Sequence, residues 1–240
     1  MTLFGKLPPK DDARTLLMGN YLLDDIAPPP PSCNLLPTVF QNLNMNNVAT
    51  LFPMDGNNRY GDCTIAAVAH AITVYGGLVG IRNIMSELDV QNLYLHLTGG
   101  ADNGLVELDV LNYWRQNAIS GDTILAYVKI DVRNHDHVKQ AIQLLGGVYV
   151  GFQVQQNCVF QFQNRQPWVP GPLTGEGHAV YAVEYGPSGV TVLTWGSVQE
   201  ATWDWWDACV DEAYAILPPE AELAGIDMDQ LRADLAAVSS

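Results

Sequence analysis

The segment Asn57-Asn58-Arg59-Tyr60-Gly61-Asp62-Cys63-Thr64 carries the strongest local signal for chemistry in this sequence. A glycine turn precedes a cysteine that starts a helical run through Ala66, Ala67, His70, Ala71 and Val74. The sulfur then faces the positive end of the helix dipole and the unpaired N–H groups of the first turn. That setting favours the thiolate, which is the nucleophilic form. Asp62 suits the N-cap, where its carboxylate points at the backbone; pointed at the sulfur, it would disfavour the thiolate. Such a cysteine needs a base within hydrogen-bond reach. His70 lies seven residues along the same helix, about 10 Å away at 1.5 Å per residue, and reads as a core or groove-wall histidine. His96 sits mid-helix. His135-Asp136-His137 reads as a solvated helix start, without the further ligands that a metal site needs. His178 differs from these: it opens the strand His178-Ala179-Val180-Tyr181-Ala182-Val183 after Gly175-Glu176-Gly177, so it can be both anchored and exposed. The other cysteines (33, 158 and 209) lack metal or compact disulfide spacing and read as small packing residues.

These residues need elements to hold them. Residues 1–50 read as an extended arm, punctuated by Pro8-Pro9, Pro28 to Pro31 and the Asn-rich 42–47 segment, with room for one short helix near Ala13–Leu23. Helices follow: one from Cys63, one after the capping-box pattern Ser86-Glu87-Leu88-Asp89, and one over Leu105–Asn117. After Ser120 the period changes. Alternation over Thr123–Val132 predicts a strand, and a helix follows over about Asp136–Leu145. Further strands are expected at Gly147–Val154, His178–Tyr185, Gly189–Trp195 and near Glu212–Leu217, with a loop over 156–177 and an aromatic loop after Trp195. A short amphipathic helix starts near Asp227. Helices first and antiparallel strands afterwards make an α+β protein.

On these residues the chain resembles the papain-like cysteine peptidases, as a divergent member. Gly61-Asp62-Cys63-Thr64 is similar to the end of that family's nucleophile motif. His178-Ala179-Val180-Tyr181-Ala182-Val183-Glu184-Tyr185-Gly186 resembles its histidine strand. Leu193-Thr194-Trp195-Gly196, with Trp203 to Tyr214 downstream, resembles its Asn-Ser-Trp-Gly region. Val138–Ile142 with Gly147–Phe152 resembles the helix and strand between. The similarity spans roughly 30–217, in the family's order. It implies a helical half led by the nucleophile helix packed against a twisted antiparallel half, within 51–217. It also implies Cys63 as nucleophile, His178 as base, Asn57 as oxyanion-hole donor and Trp195 as the shield over the pair. The family's orienting Asn falls on Leu193, which has no hydrogen-bonding side chain, so the role falls to Thr194, a backbone carbonyl or a carboxylate from the following loop. Asn57, one methylene shorter, stands where the family has Gln, and Asn58 is the alternative donor.

The resemblance implies a hydrolase of peptide or related amide bonds, acting through a thioester and needing no cofactor or metal. The competing reading keeps the same fold as a catalytically weak or inactive structural or binding module of a larger assembly. The Leu193 replacement, the Pro-rich arm and the acidic tail motivate it. The formal charge is −15, with 11 Lys and Arg against 26 Asp and Glu, which argues against nucleic acid or an anionic membrane as partner. Ten of those acids and one base lie in 200–240, so the charge belongs mainly to the C-terminal region. There it reads as a solvated face, or as a docking surface for a basic or protein partner. The arm offers a second route to assembly. No signal-peptide core is evident in MTLFGKLPPK and no apolar run reads as a membrane span, so a cytoplasmic location is expected.

Overall fold

The computed structural model describes residues 3–219 and 225–238. Glu220 and Glu222 of the acidic tail lie outside the described residues. A 3-10 turn at Met18–Asn20 buries Met18 and Tyr21, and strand β1 (Cys33–Asn34) follows. Helix α1 (Leu36–Leu43) starts with Pro37 in its first turn, where a missing N–H costs nothing, and ends on Asn44 in the left-handed region. A single turn, α2 (Val48–Leu51), is capped by the Asn47 side chain. Helix α3 (Cys63–Val79) is apolar nearly all round, so it is buried between α1 and the sheet. Fully burying Ile65, Val68 and Ile72 stabilises the fold by roughly 1.5–3 kcal/mol each. Helix α4 (Glu87–Leu97) begins at Ser86, whose side chain accepts from the Asp89 N–H, and α5 (Glu107–Gln116) completes the helical half.

The second half is a sheet. Its elements in chain order are β2 (Ala126–Lys129), α6 (His135–Leu145), β3 (Val148–Gln155), α7 (Cys158–Gln163), β4 (Leu173–Gly186), β5 (Gly189–Thr194), β6 (Ser197–Thr202), α8 (Trp203–Cys209), β7 (Val210–Leu217) and α9 (Met228–Val238). The spatial order is β2-β7-β3-β4-β5-β6, all antiparallel, with β1 paired to β4. Strand β3 is buried on both faces over most of its length, so its side chains supply core to α3, α6 and α8.

Several local expectations change. The segment 36–43, inside the stretch expected to be an arm, is a helix packed on α3, because Leu36 and Val39 share one buried face. The aromatic stretch after Trp195 holds β6 and α8, not a loop, since Trp205 and Trp206 turn inward and Thr202 caps the helix. The 156–177 loop contains α7 and the start of β4. Among the described residues no helix is long and apolar enough to cross a membrane.

Candidate active site

Cys63 is the first residue of α3, and His178 lies on β4 directly across from Phe152 of β3. The two halves meet here. Cys63, His178, Asn57, Thr194, Trp195, Leu193 and His70 all line one cavity of about 10 Å3, room for no more than a single water. The Tyr149 hydroxyl donates to the Thr64 carbonyl at 3.0 Å, tying the first turn of α3 to β3 and fixing the height of the sulfur over the sheet.

His178 is held from two directions. Its Nε2 lies 2.9 Å from Thr194 Oγ1. Its ring stacks on Trp195, with centroids 4.6 Å apart and planes 28° from parallel. Among the described residues its Nδ1 has no hydrogen-bond partner. When Nε2 carries the proton and donates to Thr194, Nδ1 keeps its lone pair, as a base for a thiol requires. Leu193, at the position of the family's Asn, is fully buried and adds only bulk.

Trp195 and Gly196 form the two-residue turn between β5 and β6, and both have positive φ, 49° and 74°. Such turns favour Asn-Gly, and a tryptophan at the first position is strained. The strain is held by the stack on His178 and by the indole N–H, which donates to Asn57 Oδ1 at 2.7 Å. Asn57 in turn donates from Nδ2 to the Tyr60 carbonyl at 3.2 Å. Its amide is therefore engaged at both ends, while Asn58 is exposed and does not line the cavity.

Electrostatics at the site depart from what the helix dipole alone implies. Burial pushes the Cys63 thiol up to about 12, against the pull of the Ala179 and Gly5 backbone amides; Asp62 and Glu107 push it further. Burial, with His70 nearby, holds His178 down at about 3. Both groups are neutral as they stand. Asp62 makes no side-chain cap, contrary to the sequence expectation. Its carboxyl is fully buried, without a hydrogen-bond partner among the described residues, and burial raises it to about 7. His70 is a wall of the cavity whose Nε2 meets the Pro53 carbonyl at 3.1 Å and Asp55 Oδ2 at 3.2 Å.

The water is kept out by the chain's own N-terminal segment. Leu3 N–H donates to the Asn57 carbonyl and Lys6 N–H to the Gly177 carbonyl, while Leu105 N–H donates to the Gly5 carbonyl. Phe4 packs edge-on against His178 and tilted against Trp195. The Gly5 backbone reaches the Cys63 thiol, and a Cβ on Gly5 would sit 1.8 Å from the Gly61 carbonyl oxygen. Beyond it the Lys6 ammonium is buried 2.9 Å from both Asp211 Oδ1 and Glu212 Oε1. Two acids of the C-terminal stretch thus turn inward instead of forming a solvated face. This cluster had no signature in the sequence, because residues 6, 107, 211 and 212 meet only through the fold.

No protein-family model and no curated protein matches the chain by sequence. Solved structures do match. Xylellain, a cysteine protease from Xylella fastidiosa, is 18% identical, with a TM-score of 0.63 over 90% of this chain and 96% of that one. The Carica candamarcensis cysteine protease CMS1MS2, solved in complex with E-64, is 17% identical, with a TM-score of 0.56 over 79% of this chain and 99% of that one. Procathepsin B S9 from Trypanosoma congolense is 12% identical, with a TM-score of 0.55 over 91% and 87%. With mixed helices, an antiparallel sheet and the Cys63 and His178 elements meeting between them, this chain has the papain-like fold of these cysteine proteases.

Proposed function

We propose that this chain is a cysteine-dependent hydrolase of peptide or related amide bonds. The observation that carries the reading is the cavity shared by Cys63, at the start of α3, and His178, whose Nε2 is fixed by Thr194. In the closed arrangement the thiol keeps its proton. Displacing residues 3–7 admits water and substrate, which removes much of the burial that separates the two groups. The Sγ proton then passes to His178 Nδ1, and the thiolate attacks the substrate carbonyl. The Cys63 backbone N–H at the helix N-terminus supports the developing oxyanion, joined by Asn57 once its amide turns from Tyr60. The imidazolium protonates the leaving amine, a thioester remains, and His178 then activates the water that hydrolyses it. Thr194 orients the imidazole and Trp195 keeps bulk water from it.

The second reading, a module that no longer turns over, draws on the occupied cleft and the neutral Cys63. Hydrolysis of a fluorogenic peptide-amide library by the intact chain and by Cys63→Ala separates the two. Turnover by the first that is lost in the second is the expected result. The hydrolase reading falls if neither turns over any member and the iodoacetamide reactivity of Cys63 follows an ordinary thiol titration, unchanged by His178→Ala.

A further inference from the structure

We propose that the pocket now filled by the Lys6 side chain is a recognition site for a lysine side chain of the substrate, with Lys6 as its internal occupant. This rests on the hydrolase reading for its use, though the pocket can be tested apart from it. The pocket has a floor and walls. Gly151 of β3 pairs with Glu212 and Phe152 with Val210, so Asp211 is the extra residue of a β-bulge. In a regular strand Asp211 and Glu212 would face opposite sides; the bulge lets both reach the one ammonium. The Tyr214 hydroxyl donates to Glu212 Oε2 at 2.9 Å and holds that carboxylate in place. The ammonium also donates to the Leu7 carbonyl at 3.3 Å.

Glu107, in the first turn of α5, supplies the fourth wall and points to more than a structural ion pair. It is fully buried, and neither of its oxygens has a hydrogen-bond partner among the described residues. It faces the same space: a Cβ on Gly151 would sit 2.8 Å from Glu107 Oε1 and 2.0 Å from Lys6 Cε. Gly151 therefore leaves a slot the width of a methylene chain, with carboxyls beyond it. Burial alone would pull Lys6 down, but Glu107, Glu212 and Asp211 outweigh it and raise it. Glu107 itself is raised well above the usual carboxylate range, by burial and then by Glu212. One cation thus meets three acids. The slot also stands at the right place: Gly5 lies on Cys63, and the side chain entering the slot belongs to the next residue.

The test uses the full chain. In Lys6→Ala the slot is vacated and its carboxylates lose their counter-ion. Thermal unfolding is followed with n-butylammonium and, separately, with n-butanol. A saturable rise of several degrees with the ammonium alone is expected, and Glu212→Gln added to Lys6→Ala abolishes it. If Lys6→Ala does not fold in buffer, refolding in n-butylammonium but not in n-butanol counts equally; refolding in neither overturns the proposal. The second arm measures kcat/KM of the natural chain on peptide amides scanned with Lys, Arg or norleucine at each position. At least a tenfold preference for Lys at one position, erased by Glu212→Gln, is expected. Turnover without such preference, and no ammonium effect, overturns the pocket and leaves the hydrolase standing. Ammonium binding with no turnover of any peptide keeps the pocket and sinks the hydrolase.

Discussion

Trp195 is held in a backbone conformation that tryptophan rarely adopts, and the two groups that hold it there are His178 and Asn57. Trp195→Asn relieves about 1 kcal/mol of turn strain but removes a large buried ring, a loss of roughly 3–5 kcal/mol. The variant is therefore expected to be less stable by about 2–4 kcal/mol, read by denaturant unfolding, despite the better turn residue. Thr194→Val leaves the buried His178 Nε2 without its partner. It is expected to lower kcat/KM about tenfold with KM little changed, and to cost about 1–3 kcal/mol of stability. Thr194→Ser should restore most of kcat, an outcome a merely space-filling role does not give. At this scale Cys63 and His178 were legible because each announces itself locally, one by a glycine turn before an Ala-rich helix, the other by opening an alternating strand. Asp62 was not. Its side chain fits a cap by type, yet it is buried beside Asn57 and makes no cap bond to the first turn of the helix.

Among the elements, α6, β3 and β5 sit close to where periodicity puts them, because each has one clear repeat bounded by Gly, Ser or Asn, while α3 is marked by the Gly61-Asp62 turn before its apolar run. Helix α1 was hidden by the prolines and asparagines around it, although Pro37 is the residue that starts it. Strand β6 and helix α8 were hidden because a run of tryptophans has no period of its own; only the cap at Thr202 marks the change. The segment 3–7 had no signal either, since its partners are the backbones of residues 57, 105 and 177. Its fit depends on a residue without a side chain at position 5. Gly5→Val cannot be seated against the Gly61 carbonyl, so the segment must lift. Iodoacetamide labelling of Cys63, followed by mass spectrometry at pH 8, is expected to be at least tenfold faster in Gly5→Val than in the natural chain. Equal rates would mean that the segment does not control access.

For the molecule as a whole, two buried groups set opposing pH dependences. His178 stays neutral when folded, held at about 3 by burial and His70, but unfolded it takes a proton near 6.5. The unfolded chain then binds more protons below about 6.5, so this contribution to stability is lost as pH falls from about 6.5 to about 3. Asp62 runs the other way. Raised to about 7 by burial, it holds a proton in the folded chain that the unfolded chain has released above about 3.8. Its contribution is lost as pH rises from about 3.8 to about 7. Asp62→Asn removes only the second dependence. The gain in unfolding free energy of Asp62→Asn over the natural chain is therefore expected to grow from pH 4 to about 7 and then level off. A gain independent of pH across that range would contradict the buried carboxyl. The seat of Lys6 has a different consequence, in time. Its partners Asp211 and Glu212 lie on the last strand of the sheet in chain order, so the contact bridges nearly all the elements between residue 6 and β7. Contacts of such sequence separation form late, after the loops between have closed. During synthesis residues 3–7 emerge well before β7 and have no complete seat until that strand is in place. The cleft thus stays open while the sheet assembles and shuts only when its final strand has docked, which makes closure a report that the sheet is complete.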